Sequence, residues 1–327
     1  MISVQELSKK YSRNLAVDHI SFEVQKGEIV GFLGPNGAGK TTTMRMLTCF
    51  LPPTSGHASV AGFDVLEQPL EVKKRIGYLP ESPPLYPEME TVEYLIFVGR
   101  LKGLPKAEIP KRVDYVCERC SITDVRKKLI SKLSKGYRQR VGLAQAIIHN
   151  PEVLILDEPT AGLDPKQINE TRDLIRGLAG DHTIILSTHI LPEVEQTCEK
   201  VIIINKGRLV ATDTVENLQA RARGAESMLV EVAGRNGTLD LGTVRTRLER
   251  VTGVTRVAVK DTRDSRTTFQ IESQKGFVRG DLARAVVESG WDLNELRPTA
   301  VSLEEIFLQL TSQDAEAPIP AAQVKSA

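Results

Sequence analysis

The sequence predicts an α/β protein, in which a parallel sheet carries a phosphate-binding loop and a small α+β unit follows. Three observations predict it. Two near-continuous aliphatic runs, Val153-Leu154-Ile155-Leu156 and Thr183-Ile184-Ile185-Leu186, bracket a helical stretch over 166–178. That is the pattern of parallel strands covered on both faces. A third run, Ile29-Val30-Gly31-Phe32-Leu33, leads into Gly34-Pro35-Asn36-Gly37-Ala38-Gly39-Lys40-Thr41 and then a helical stretch from Thr42. Strand, glycine-rich loop and helix in that order make the P-loop arrangement. Beyond residue 222 the elements follow the order β-α-β-β-α-β of a ferredoxin-like sandwich.

In chain order, Ile2-Ser3-Val4-Gln5-Glu6-Leu7 and Ile20-Ser21-Phe22-Glu23-Val24 alternate as half-buried strands do. Leu51-Pro52-Pro53-Thr54-Ser55-Gly56 is a turn cluster, and Arg75-Ile76-Gly77-Tyr78-Leu79 reads as a further strand. Residues from about 85 to 150 carry a helical pattern, centred on Tyr94-Leu95-Ile96-Phe97-Val98 and on Val141-Gly142-Leu143-Ala144. They are expected to form a helical lobe. A boundary falls at 221–225, giving a first domain over 1–221 and a second over 222–312. In the second, strands are expected at 227–233, 254–260, 267–273 and 291–297, with helices at 241–251, 277–289 and 302–311. The Ala/Pro-rich tail 313–327 has little to bury and is expected to be disordered.

The loop carries chemistry because its glycines let successive backbone N–H groups turn inward around a phosphate. Lys40 would reach the β/γ-phosphates, and the Thr41 hydroxyl would ligate Mg²⁺. Thr42 follows at the helix start and is grouped with Gly34, Pro35, Asn36, Gly37, Ala38 and Gly39 as nucleotide-binding. The strand Val153-Leu154-Ile155-Leu156 ends in Asp157-Glu158. Delivered beside the loop, Asp157 would hold Mg²⁺, the Walker B arrangement, and Glu158 would polarise the attacking water as general base. Leu186-Ser187-Thr188-His189 ends the next aliphatic strand, so His189 is expected at the same sheet edge, within reach of a γ-phosphate oxygen. His19, His57, His149 and His182 have no such setting and receive no role.

Composition narrows the classes further. The formal net charge of +1 leaves no basic excess to suggest nucleic acid as a partner. The longest apolar runs, such as Val201-Ile202-Ile203-Ile204, are strand length and far short of a bilayer span. Four cysteines and no secretory leader point to a reducing cytoplasm. Cys117-Glu118-Arg119-Cys120 is a CxxC without a second ligand pair, and reads as two ordinary thiols.

Taken together, these stretches resemble the nucleotide-binding subunit of an ABC transporter over about residues 1–220. The resemblance extends to Leu133-Ser134-Lys135-Gly136-Tyr137, which matches the ABC signature at Ser134 and Gly136 and departs from it at Lys135 and Tyr137. Gly162-Leu163-Asp164-Pro165 corresponds to the D-loop, and Tyr11 sits where the family places an adenine-stacking aromatic. Glu81 stands where the family usually has a glutamine that contacts Mg²⁺ and the attacking water. Its carboxylate could still supply an oxygen ligand. Tyr78-Leu79-Pro80-Glu81, the signature variant and Ser302-Leu303-Glu304-Glu305-Ile306-Phe307-Leu308 look like the subgroup serving ABC-2 type exporters, similar to gliding-motility and multidrug or sodium-export ATPases.

The resemblance implies an ATP- and Mg²⁺-dependent ATPase with a RecA-like lobe and a helical lobe. It further implies that two copies, or this chain and a homologous ATPase, pack head to tail, each ATP lying between one P-loop and the other subunit's Ser134 and Gly136. Closure and opening would drive export by a separate integral-membrane permease, with this chain cytoplasmic and peripheral on the inner face of the membrane. The permease is expected to dock near Glu81 and the stretch 82–93, and the C-terminal domain to stabilise the dimer or restrain its closure. The alternatives are a soluble ABC ATPase on ribosomes or DNA, and a regulatory ATPase module. The single P-loop and the lack of a heptad array weigh against the ribosome and DNA types.

Overall fold

The computed structural model describes residues 1–12, 14–222, 225–234, 239–263, 266–274, 279–299 and 307. These fall into two compact units, Met1–Val215 and Glu216–Gln309. The division precedes the composition change at 221–225 because the helix Val215–Ala222 opens the second unit instead of closing the first.

The first unit begins with a hairpin, β1 (Ile2–Tyr11) and β2 (Asn14–Val24), followed by β3 (Ile29–Leu33) and α1 (Lys40–Leu47). Then come β4 (Ser55–Val60), β5 (Phe63–Asp64), α2 (Pro69–Arg75) and β6 (Ile76–Leu79). The helical region holds α3 (Thr91–Leu101), α4 (Ile109–Arg119) and α5 (Lys135–Ile147). After it, β7 (Val153–Asp157), α6 (Pro165–Gly177), β8 (Thr183–Thr188), α7 (Leu191–Thr197), β9 (Lys200–Asn205) and β10 (Arg208–Thr214) complete the unit. α8 (Val215–Ala222) leads on.

Two sheets result. One is antiparallel, in the order β2-β1-β4-β5; the other runs β10-β9-β3-β8-β7-β6. In the second, β9, β3, β8, β7 and β6 are parallel neighbours and only β10 runs against them. Every residue of β3, β7 and β8 is buried, as their aliphatic runs require. Side chains from both sheets and α1 share one core, which includes Val4, Phe22, Phe32, Met44, Leu47, Val60 and Ile155. Phe22 of one sheet and Phe32 of the other meet with ring centroids 5.6 Å apart. The glycine loop, Asp157 and His189 thus follow the C-terminal ends of adjacent parallel strands, the edge where such sheets bind ligands.

In the helical region, Glu90 and Glu93 form a reciprocal capping box at the start of α3. Cys117 and Cys120 are free and fully buried at the end of α4. Burial raises both thiols, which keeps them protonated and inert.

The second unit contains β11 (Ala225–Gly234), α9 (Leu241–Glu249), β12 (Val254–Arg263), β13 (Arg266–Gln274), α10 (Arg279–Glu288) and β14 (Trp291–Thr299). The strands pair antiparallel in the order β12-β13-β11-β14. Val230, Val232, Val244, Leu248, Phe269 and Val286 build its core, and burying Phe269 contributes about 2–3 kcal/mol. The helix expected at 302–311 and the tail 313–327 lie outside the described residues, Phe307 apart.

Candidate functional site

Gly39 is the N-cap of α1 at φ +109°, a backbone that a side chain would strain, and a Cβ there would stand 2.6 Å from the Ala16 carbonyl oxygen. With glycine at that position, no side chain caps α1. Its first-turn amides are left to an anion, with the partial positive charge of the helix start behind them. Lys40 is buried. Its Nζ donates to the Gly34 and Pro35 carbonyl oxygens at 2.8 and 3.3 Å and lies 3.4 Å from Glu158 Oε1.

Asp157 and Ser187 are register partners on β7 and β8. The Thr41 hydroxyl donates to Asp157 Oδ1 at 3.3 Å, and the Ser187 hydroxyl donates to the same oxygen. Asp157 Oδ2 is buried without a hydrogen-bond partner. A carboxylate oxygen left unpaired beside a threonine hydroxyl is the donor set a hard cation takes, and Mg²⁺ completes its shell from water and phosphate. These residues fit that ion. Tyr78 lies nearby on β6, where burial and then the Asp157 charge push its hydroxyl up to about 12, so it stays neutral.

Glu158 follows at φ +50°, with its backbone N–H on the Ser187 carbonyl oxygen at 3.0 Å. This turn brings its buried carboxylate back over the sheet edge. There it meets Lys40 and also His189 Nδ1, at 3.0 and 2.9 Å from its two oxygens. His189 remains 45% exposed on its outer side. Lys40, Glu158 and His189, from three separate strand ends, form one cluster of ionisable side chains.

The other expected site residues lie outside this cluster. Tyr11 is 42% exposed at the tip of the first hairpin, with Lys9 Nζ 5.6 Å from its ring centroid. The same hairpin brings Ala16 and Val17 against Gly39. Ser134 is exposed and caps α5, accepting from the Tyr137 N–H at 3.3 Å. Gly136 is buried so close to α6 that a Cβ would stand 2.1 Å from Gln167 Oε1. Tyr137 turns its hydroxyl onto Asp124 at 2.6 Å, a bond that raises its pKa.

Glu81 is exposed and makes no hydrogen bond or ion pair among the described residues. It lines a groove of about 380 Å³ with Pro83, Leu85, Lys135 and Arg138.

The ABC transporter family matches residues 17–161. The bacitracin transport ATP-binding protein of Bacillus licheniformis is 35% identical over 95% of this chain and 97% of its own length. The chain belongs to the ABC transporter ATP-binding proteins. A daunorubicin resistance ATP-binding protein of Streptomyces coeruleorubidus is 34% identical over 96% of each chain. The solved structure of an ATP-binding subunit of an ABC transporter superposes with a TM-score of 0.63 at 30% identity, covering 68% of this chain and 93% of the other. These relatives make this cassette an ATPase of transport and set aside the soluble reading. No helix among its described residues is long and apolar enough to cross a membrane.

Several polar residues that hold the cassette's site together carry no motif of their own. Ser187 braces Asp157, and Thr160 and Thr188 donate to the buried Glu193. Gln145 of α5 donates to the Tyr78 carbonyl oxygen at 2.8 Å and ties the helical region to β6. The available signal was polarity at the buried ends of aliphatic strands, from which Asp157, Glu158 and His189 were read but Ser187 and Thr188 were not. Among the histidines given no role, His149 bonds the Ile76 carbonyl oxygen at 3.0 Å and His182 that of Pro151 at 2.6 Å.

Proposed function

We propose that this cassette binds Mg-ATP on the loop 34–41 and hydrolyses it with Glu158 as general base, powering export through a separate membrane protein. The observation that carries the reading is the convergence of Lys40, Glu158 and His189 beside the unpaired oxygen of Asp157. Lys40 spends its donors on loop carbonyls and Glu158. A γ-phosphate offers it stronger, charged acceptors and draws it away from the carboxylate. Glu158 keeps its bond to His189 and is freed to take the proton of the attacking water. Thr41 and Asp157 would hold Mg²⁺, which neutralises phosphate charge when bound. Tyr11 stacks on adenine, while Glu81 acts as a ligand near the metal only if its loop moves inward on nucleotide binding.

Ser134 and Gly136 serve the nucleotide of a second copy or of a homologous ATPase. The exposure of Ser134 at the start of α5 supports that assignment. ATP then holds two cassettes closed, and hydrolysis removes the charge that both grip. The chain works in the cytoplasm against the inner face of the membrane. The decisive experiment has two arms. Glu158→Gln should bind Mg-ATP, hydrolyse it slowly and accumulate as a closed dimer; wild-type turnover would remove Glu158 from its role. Tagged chain taken from detergent-solubilised membranes should carry a stoichiometric polytopic protein. Recovery with ribosomal or DNA-repair proteins alone would overturn the transport coupling.

A further inference from the structure

Glu193 lies in the first turn of α7, only 2% exposed, and forms no ion pair among the described residues. A buried carboxyl group is costly unless hydrogen bonds satisfy its oxygens. Two hydroxyls do so. Thr188, the residue before His189, donates to Oε2 at 2.8 Å, and Thr160, two residues after Glu158, donates to Oε1. Both threonines are themselves buried, at 0% and 3% exposure.

The Thr188 hydroxyl also accepts from the Ile190 N–H at 3.0 Å, and the Glu193 N–H returns to the Ile190 carbonyl oxygen at 3.1 Å. His189 is therefore enclosed in a short turn whose outer end is Glu193. On the other side, Glu158 is held at positive φ, with the Ala161 N–H on its carbonyl oxygen at 3.1 Å. One carboxylate thus joins the turn that carries the base to the turn that carries the histidine facing it.

We infer that Glu193 is a positioning residue for hydrolysis, setting the separation of Glu158 and His189 through Thr160 and Thr188. It touches neither nucleotide nor water and acts only through those two turns. This rests on the proposed roles of Glu158 and His189.

The test is single-turnover hydrolysis of Mg-ATP by the full chain, with melting temperature and ATP Kd measured alongside. Glu193→Ala should slow the step about 10- to 100-fold, as loss of an orienting partner does, and leave the ATP Kd within about twofold. Glu193→Gln keeps the shape and one acceptor and should recover most of the rate. In a His189→Ala background, Glu193→Ala should slow hydrolysis no further, because the geometry it sets is already gone. Thr188→Val and Thr160→Val keep side-chain volume, fold independently of any defect in Glu193→Ala, and should each reproduce part of the loss.

Full hydrolysis by Glu193→Ala would overturn the inference. So would a loss that adds to His189→Ala and tracks the melting temperature, as a merely structural role would. If His189→Ala and Glu158→Gln themselves turned over normally, the underlying site assignment would fail instead.

Discussion

Two helices of the cassette start in opposite ways. α1 opens on Gly39, has no side-chain cap and buries Lys40 within the first turn, against carbonyls and carboxylate of its own chain. α5 opens on Ser134, which caps it, and presents that serine to solvent. An uncapped helix start enclosed by its own chain is ready for a phosphate. A capped, exposed start satisfies itself and gains a ligand only when another surface arrives. On the proposed function, the first start binds the nucleotide of its own chain and the second serves that of another cassette.

Four experiments break or sharpen that contrast. The largest effect is expected from Glu158→Gln, with turnover falling at least about 100-fold while ATP binding persists. Measured by phosphate release and equilibrium binding, it separates hydrolysis from the grip of α1. Lys40→Ala comes next. Hydrogen bonds to charged groups contribute about 1.5–3 kcal/mol, so ATP affinity should fall about 10- to 150-fold, read by calorimetry. An unchanged affinity would mean that the loop amides alone hold the phosphates.

Ser134→Ala should cost about 1 kcal/mol as a lost cap, visible in urea titration. It should leave the affinity of the isolated chain for ATP unchanged and lower turnover about tenfold where dimers form. Weakened binding to the monomer would erase the distinction between the two helix starts.

The last experiment lies away from the site and guards its interpretation. Burial, helped by Lys102 and Arg112, pushes His149 down to about 4 from an ordinary value of 6.5. The folded state therefore favours the neutral ring. Stability is fully present above pH 6.5 and declines as the pH falls toward 4, by about 3 kcal/mol at most. His149→Gln keeps a donor for the Ile76 carbonyl oxygen and should flatten that slope in denaturant titrations. Were the slope unchanged, the acid sensitivity would belong to another group, and pH profiles of turnover would need reassigning.

Much of the site was legible because its signals are local. The loop 34–41 lies in eight consecutive residues, and Asp157, Glu158 and His189 mark the ends of aliphatic runs. Glu81 was less so. The resemblance puts it near the metal, and in the fold it lines a groove with Lys135 and Arg138. Its loop conformation depends on packing that local pattern does not encode. The sequence puts a boundary at 221–225, where the periodic pattern stops, and the compact units divide after Val215, the first residue of α8.

The sequence by itself determined the class of fold, the phosphate loop and the acids at a strand end. Each follows from periodicity, backbone freedom or a contiguous motif. Tertiary structure alone decided that β8 lies between β3 and β7, so that Ser187 braces Asp157 and His189 faces Glu158. It also decided that one oxygen of Asp157 is left unpaired and that Glu193 joins two turns. Such contacts depend on strand order and register, which arise from how whole faces pack and are written in no single stretch of the chain.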